Sequence, residues 1–217
     1  MQKSQVKPVP YEPEYRHSRC NTSANSAILN LMKERKHLIL LGMKHSGKST
    51  VGRELASQTG RLFFDTDDEI RALTGKTARH IWDEGGQTLF AQKETEACAH
   101  ILEAYSNDAR TENGLVIATG GGIADNPEAL QLLGSRGTLI YLDVSFSTLF
   151  SRILHSAERD GRLPGFLQGG DPKELFTKLS ARRSQIYVTI ADIRISAEGK
   201  TPSEISHTIM ELVLHEQ

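Results

Sequence analysis

Leu38-Ile39-Leu40-Leu41-Gly42-Met43-Lys44-His45-Ser46-Gly47-Lys48-Ser49-Thr50 joins a wholly apolar run to a glycine-bounded loop and then to Gly-Lys-Ser. The spacing G-x-x-x-x-G-K-S is that of the phosphate-binding loop, or Walker A motif. Four fixed positions of this kind arise by accident about once in 100 chains of this length. The strand-like run before it and the helix-compatible sequence after it are the context the motif requires. In such a loop the backbone N–H groups and the following helix N-terminus form an anion nest. Lys48 adds a point charge for the outer phosphates, and the Ser49 hydroxyl is placed to hold Mg²⁺. The stretch therefore predicts binding of a nucleoside triphosphate.

Outward from this loop, the 217 residues suffice for one well-cored α/β domain. A net charge of −1 gives no reason to expect nucleic-acid or anionic-membrane binding. Cys20 and Cys98 form no CxxC and no disulfide framework, which fits a reduced, cytoplasmic setting. No apolar run approaches a membrane span, no hydrophobic signal core follows the N-terminal lysines, and no internal repeat is visible. Residues 1–36 read as an N-terminal extension, proline-rich and partly disordered, with a short helix from Ser23 to Glu34.

The rest, residues 37–217, alternates strands and helices. Strands are expected at Leu38 to Leu41, Leu62 to Phe64, Gly114 to Thr119, Thr138 to Leu142 and Ala191 to Ile195. Helices are expected from Lys48 to Gly60, Asp67 to Leu73, Thr77 to Glu84 and Thr88 to Tyr105. Further helices are expected after Pro127, from Thr148 to His155, from Pro172 to Ile190 and from Pro202 to Leu214. Residues 157–170 are polar and glycine-rich, as a mobile lid would be. Such alternation predicts an α/β three-layer sandwich: a five-stranded parallel sheet with helices on both faces. Ligands of these sheets sit beyond the carboxyl ends of the strands. That rule gathers the phosphate loop, Asp65 and Asp67, and the run Ala118-Thr119-Gly120-Gly121-Gly122 at one edge. The two aspartates, two apart at a strand end, can serve a Mg²⁺ water shell and an attacking hydroxyl. Asp67 could equally cap the next helix. The bare glycines let a ligand approach the backbone closely, or make a plain turn.

Taken together these residues resemble the shikimate kinase family. Its motifs appear in order as Gly42 to Thr50, Asp65-Thr66-Asp67, Ala118 to Gly122 and Arg162-Leu163-Pro164. The last is Arg183-Ser184-Gln185-Ile186-Tyr187-Val188-Thr189-Ile190-Ala191-Asp192. The resemblance spans about residues 37 to 215. It implies a monomeric P-loop kinase of the nucleoside-monophosphate-kinase type that uses ATP and Mg²⁺. By resemblance, the acceptor is a ring hydroxyl of shikimate, a step of aromatic amino acid biosynthesis. It further implies that Gly42, Lys44, His45, Ser46, Gly47, Lys48, Ser49 and Thr50 serve ATP, with Arg152 flanking the adenine. Ser49 and Asp65 would serve the metal, and Asp67 would bind and orient the acceptor as base. Gly120, Gly121, Gly122 and Lys44 would line the acceptor pocket. Arg183 would pair with the substrate carboxylate, and Arg162 would swing in from the lid over the transferred group. Lys48, Asp67 and Arg162 are thus the expected catalytic set.

The family pattern is broken at two places. In F-R-x-x-E the arginine grips the substrate carboxylate, yet here Phe90-Ala91-Gln92-Lys93-Glu94 has alanine there. A register slip by one puts Phe90 in its place, so the arginine is missing either way. His45 stands where the loop's middle glycine is usual, behind Lys44 instead of an apolar residue. Either Lys44 replaces the lost cation, or the acceptor is gluconate or another hydroxylated metabolite. A catalytically inactive nucleotide-binding regulatory module is the reading from a different class. The histidines outside the loop show no ligand spacing, and Trp82 and Phe90 read as core.

Overall fold

The strand His37–Leu41 (β1) is buried at every residue. Since successive side chains point to opposite sides of a sheet, both faces of β1 must be covered. The structure, a computed structural model, describes residues 37–104 and 113–215. The expected helix Ser23–Glu34, the extension around it, Cys20 and Tyr105 lie outside the described residues. β1 runs parallel between Leu115–Ala118 (β3) and Gly137–Asp143 (β4). Leu62–Asp65 (β2) and Ile193–Ser196 (β5) form the edges, giving the order β2-β3-β1-β4-β5. This is the expected five-stranded parallel sheet.

Seven helices cross over it among the described residues. Lys48–Thr59 (α1) puts Val51 and Leu55 into the core and ends on Gly60, whose φ of 66° is the left-handed cap expected of it. Thr66–Thr74 (α2) starts directly from β2. Its N-cap is Asp65, whose carboxylate accepts from the Asp67 N–H, so the capping role considered for Asp67 belongs to its neighbour. Ala78–Ala104 (α3) spans both helices expected there. The break between them survives as Gly86, at φ 63° and ψ −154°, outside helical values. Pro127–Arg136 (α4) follows a 3₁₀ turn, Ile123–Asp125, which has no counterpart in the sequence expectations. Phe146–Asp160 (α5) runs longer than expected and takes in the first four residues assigned to the lid. The rest of that segment is anchored by a 3₁₀ turn, Gly165–Leu167, with Leu167 buried. Pro172–Ile190 (α6) and Pro202–His215 (α7) complete the set.

Asn126 fixes the angle between α3 and α4. Its Oδ1 caps α4 by accepting from the Ala129 N–H, while its Nδ2 donates to the Ala91 carbonyl and to Glu94 on α3. Asn126→Ala removes the cap and takes a donor from the buried Glu94 carboxyl and the half-buried Ala91 carbonyl. It should cost about 2 kcal/mol or more, read as a lower urea midpoint with an unchanged slope. An unaltered midpoint would remove Asn126 from this role.

Candidate active site

The loop from Gly42 to Thr50 divides two cavities. On one side a space of about 560 Å³ is lined by His45 to Val51, by Arg152, His155 and Arg159 on α5, and by Lys200 before α7. Such a cationic, open trough suits a triphosphate. Lys48, 6% exposed, donates to the carbonyls of Gly42 and Met43 at 2.9 and 2.8 Å. Burial lowers its pKa to about 8, against the pull of Asp67 and Asp65. Arg152 donates to the His45 carbonyl at 2.9 Å, tying α5 to the loop. His45 has φ 64°, the left-handed region that a glycine enters without strain, which accounts for the usual residue at this position. Burial and then the charges of Lys44 and Lys48 lower its pKa, favouring the neutral imidazole.

At the helix start, Ser49 donates to Asp65 Oδ2 at 2.6 Å. Two hard oxygen donors beside a phosphate loop fit Mg²⁺, which keeps several waters and takes few protein ligands. Among the described residues no group of three or more His, Cys, Asp or Glu side chains forms a competing metal site.

Two threonines inside the motifs do the joining. Thr66, fully buried between the two aspartates, accepts from the Gly120 N–H at 2.9 Å. Thr119 donates from both N–H and hydroxyl to the Leu40 carbonyl, at 3.1 and 3.0 Å. The aspartate turn, the glycine run and the phosphate loop are thereby laced together. Gly121 then presses so close that a Cβ there would lie 2.6 Å from the Lys44 backbone nitrogen. No residue but glycine fits without moving the loop.

On the other side of the loop is a cavity of about 320 Å³. Lys44, Asp67, Gly120 to Gly122 and Arg183 line it, with Trp82, Phe90, Ala91 and Glu94 from α3 and Pro164 to Phe166 from the lid. Asp67 is exposed and lines the cavity. Desolvation, then the charge of Asp65, raises its pKa, with Lys48 and Lys44 opposing. Arg183 gives Nε and Nη2 to Asp125 Oδ2 and Nη1 to the Gly121 carbonyl. Tyr187, one turn on, donates to the same carbonyl at 3.3 Å. The R-x-x-x-Y spacing is thus a two-pronged grip on the glycine wall. Asp192 continues it by bonding both polar backbone groups of Leu139 on β4.

The structure thus gathers the loop residues, Arg152, Asp65, Asp67, the three glycines and Arg183. Lys44 projects into the second cavity, so of its two expected roles the acceptor side is the one its placement favours. Arg162 is exposed and lines a separate shallow depression, apart from both cavities. Trp82 is 49% exposed and walls the acceptor cavity, so its expected core role is corrected. Phe90 does both, packing on Ile70, Ile81 and Ala97 while facing the cavity. The sequence reading assigned no role to Glu94, Asn126, Asp125, Arg159 or Lys200. Only Glu94 carried a signal, as the closing residue of the F-x-x-x-E pattern.

Comparison with known proteins agrees with this geometry. The shikimate kinase family model matches residues 44–214. The chain is 32% identical to the shikimate kinase of Shewanella sediminis over 180 residues, covering 83% of this chain and 98% of that one. It is 30% identical to shikimate kinase 1 of Yersinia enterocolitica, covering 84% and 98%. The shikimate kinase of Acinetobacter baumannii in complex with shikimate superposes with a TM-score of 0.72 at 29% identity, covering 87% of this chain and 98% of that one. The chain belongs to the shikimate kinase family.

Proposed function

We propose that the protein transfers the γ-phosphoryl group of ATP to a ring hydroxyl of shikimate, giving shikimate 3-phosphate. The observation that supports this most is the single loop with a cationic trough on one side and an acid-and-glycine cavity on the other. Family membership supplies the donor and the acceptor.

In this reading the loop N–H groups and Lys48 hold the phosphates, and Arg152 flanks the nucleotide. Ser49 and Asp65 hold Mg²⁺, which when bound neutralises phosphate charge. Asp67 accepts the proton of the attacking hydroxyl, and a raised carboxyl pKa suits that task. Gly120 to Gly122 and Arg183 shape the acceptor wall, with two guanidinium hydrogens of Arg183 left over for the substrate. Lys44, which has a flexible stem and lines the cavity, is the replacement cation for the carboxylate. Arg162 acts when the lid carries it inward. Residues 37–217 are the kinase domain and 1–36 an extension to it. The enzyme acts as a cytoplasmic monomer without nucleic-acid or membrane partners. A charge of −1 is in keeping with this, and no helix among the described residues is long and apolar enough to cross a membrane.

Shikimate-dependent ADP release measures the reaction. Wild type should turn over, and Asp67→Asn should lower kcat by about 100-fold or more with ATP binding intact. Absence of turnover, or full activity in Asp67→Asn, would contradict the assignment. Lys44→Ala should raise the KM for shikimate about tenfold and leave the KM for ATP nearly unchanged. An unmoved shikimate KM removes Lys44 from the acceptor site.

A further inference from the structure

Glu94 is a buried acid that the reaction just described does not use. It is 1% exposed on α3, with Oε2 held by Asn126 at 3.0 Å. Its Oε1 has no hydrogen-bond partner, and the residue lines the acceptor cavity. A Cβ built on Gly120 would lie 3.0 Å from Asp67 Oδ1 and 3.1 Å from Glu94 Oε1. The two carboxyl oxygens therefore border one patch of bare backbone in the acceptor wall.

The groups around Glu94 decide its charge. One helical turn earlier on the same face stands Ala91, which offers no cation. Asp67 faces it from α2, Asp125 from the 3₁₀ turn, Arg183 and Tyr187 from α6, and Cys98 from its own helix. Burial raises the pKa values of Tyr187 and Cys98, so both stay neutral. Arg183 favours an ionised Glu94, as does the Asn126 hydrogen bond, but the Arg183 guanidinium is committed to Asp125; Lys44 and Arg79 also line the cavity. A buried carboxylate without a partnered cation is costly, so the group keeps its proton instead. Burial foremost, then the charge of Asp67, lifts its pKa to about 7, while the Asn126 hydrogen bond pulls the other way.

The acceptor's own chemistry calls for such a group. Asp67 only accepts when ionised, so it takes ring hydroxyls. A substrate carboxylate also only accepts, so it needs donors from the wall. We propose that Glu94 binds the acceptor directly, donating a hydrogen bond from a protonated Oε1 to the substrate carboxylate in place of the guanidinium that Ala91 cannot supply. This rests on shikimate being the acceptor. The pH effect then has a definite sign. Below about pH 7 the donor is present; above it, ionisation removes the donor and sets a like charge against the substrate.

The test is the KM for shikimate at saturating ATP between about pH 6 and pH 8.5. In wild type it should rise about tenfold or more across that range. In Glu94→Gln the amide oxygen stays on Asn126 and the NH₂ takes the place of Oε1, so KM should lose that rise. Glu94→Ala should have a KM about tenfold higher at pH 6 with kcat largely kept, a split that a merely structural role would not produce. A flat wild-type KM, or a rise in Glu94→Gln as steep as in wild type, overturns the inference while leaving shikimate as acceptor. No shikimate turnover by wild type at any pH overturns the acceptor assignment and the inference together.

Discussion

The closeness of two backbone segments governs this active site. The glycine run after β3 lies against the phosphate loop after β1, with the absent Cβ of Gly121 only 2.6 Å from the Lys44 nitrogen. Thr119 holds the approach by two bonds to the Leu40 carbonyl, and Thr66 extends it to the aspartate turn. Arg183 and Tyr187 hold the far side through the Gly121 carbonyl. A side chain at position 121 would wedge the two cavities apart, and a phosphoryl group must pass between them. Positioning is the main resource of phosphoryl transfer, so this contact sets the rest.

Charge is arranged around the same contact. Lys48 is buried on one side of the loop and Asp67 opens to the cavity on the other, and desolvation moves each toward its neutral form. Two groups poised in this way respond strongly to an arriving anion or hydroxyl, since low dielectric magnifies each new charge. Asp125 takes up much of Arg183, with Arg182 also 2.8 Å from its other oxygen. Hydrogen bonds from both arginines outweigh burial and hold Asp125 below the usual carboxylate range. The pocket is therefore less cationic than its arginine content suggests, and the recognition of an acidic acceptor falls on fewer groups.

The sequence carried the sheet and the edge on which ligands gather, because a buried parallel strand and a phosphate loop are local patterns. Asp65, Asp67 and Gly120 to Gly122 were legible for the same reason. Trp82 was not: a large aromatic usually enters a core, but the kink at Gly86 turns its segment of α3 out over the cavity. Asn126 and Glu94 were hidden because they meet only across the α3–α4 contact, 32 residues apart. The end of α5 was not legible, since the helix continues past His155 to Asp160 through polar residues, and Leu167 is buried in the segment beyond it. Arg162 follows from pattern alone, and it lies exposed and apart from both cavities.

The most direct measurement is a crystal structure with a non-hydrolysable ATP analogue and shikimate bound together. The terminal phosphate should lie beside Lys48 on the Arg152 side of the loop. Shikimate should lie across the loop, one ring hydroxyl on Asp67 and its carboxylate toward Glu94, Lys44 and Arg183. Shikimate seated elsewhere, or Asp67 out of reach of both ligands, would contradict this arrangement.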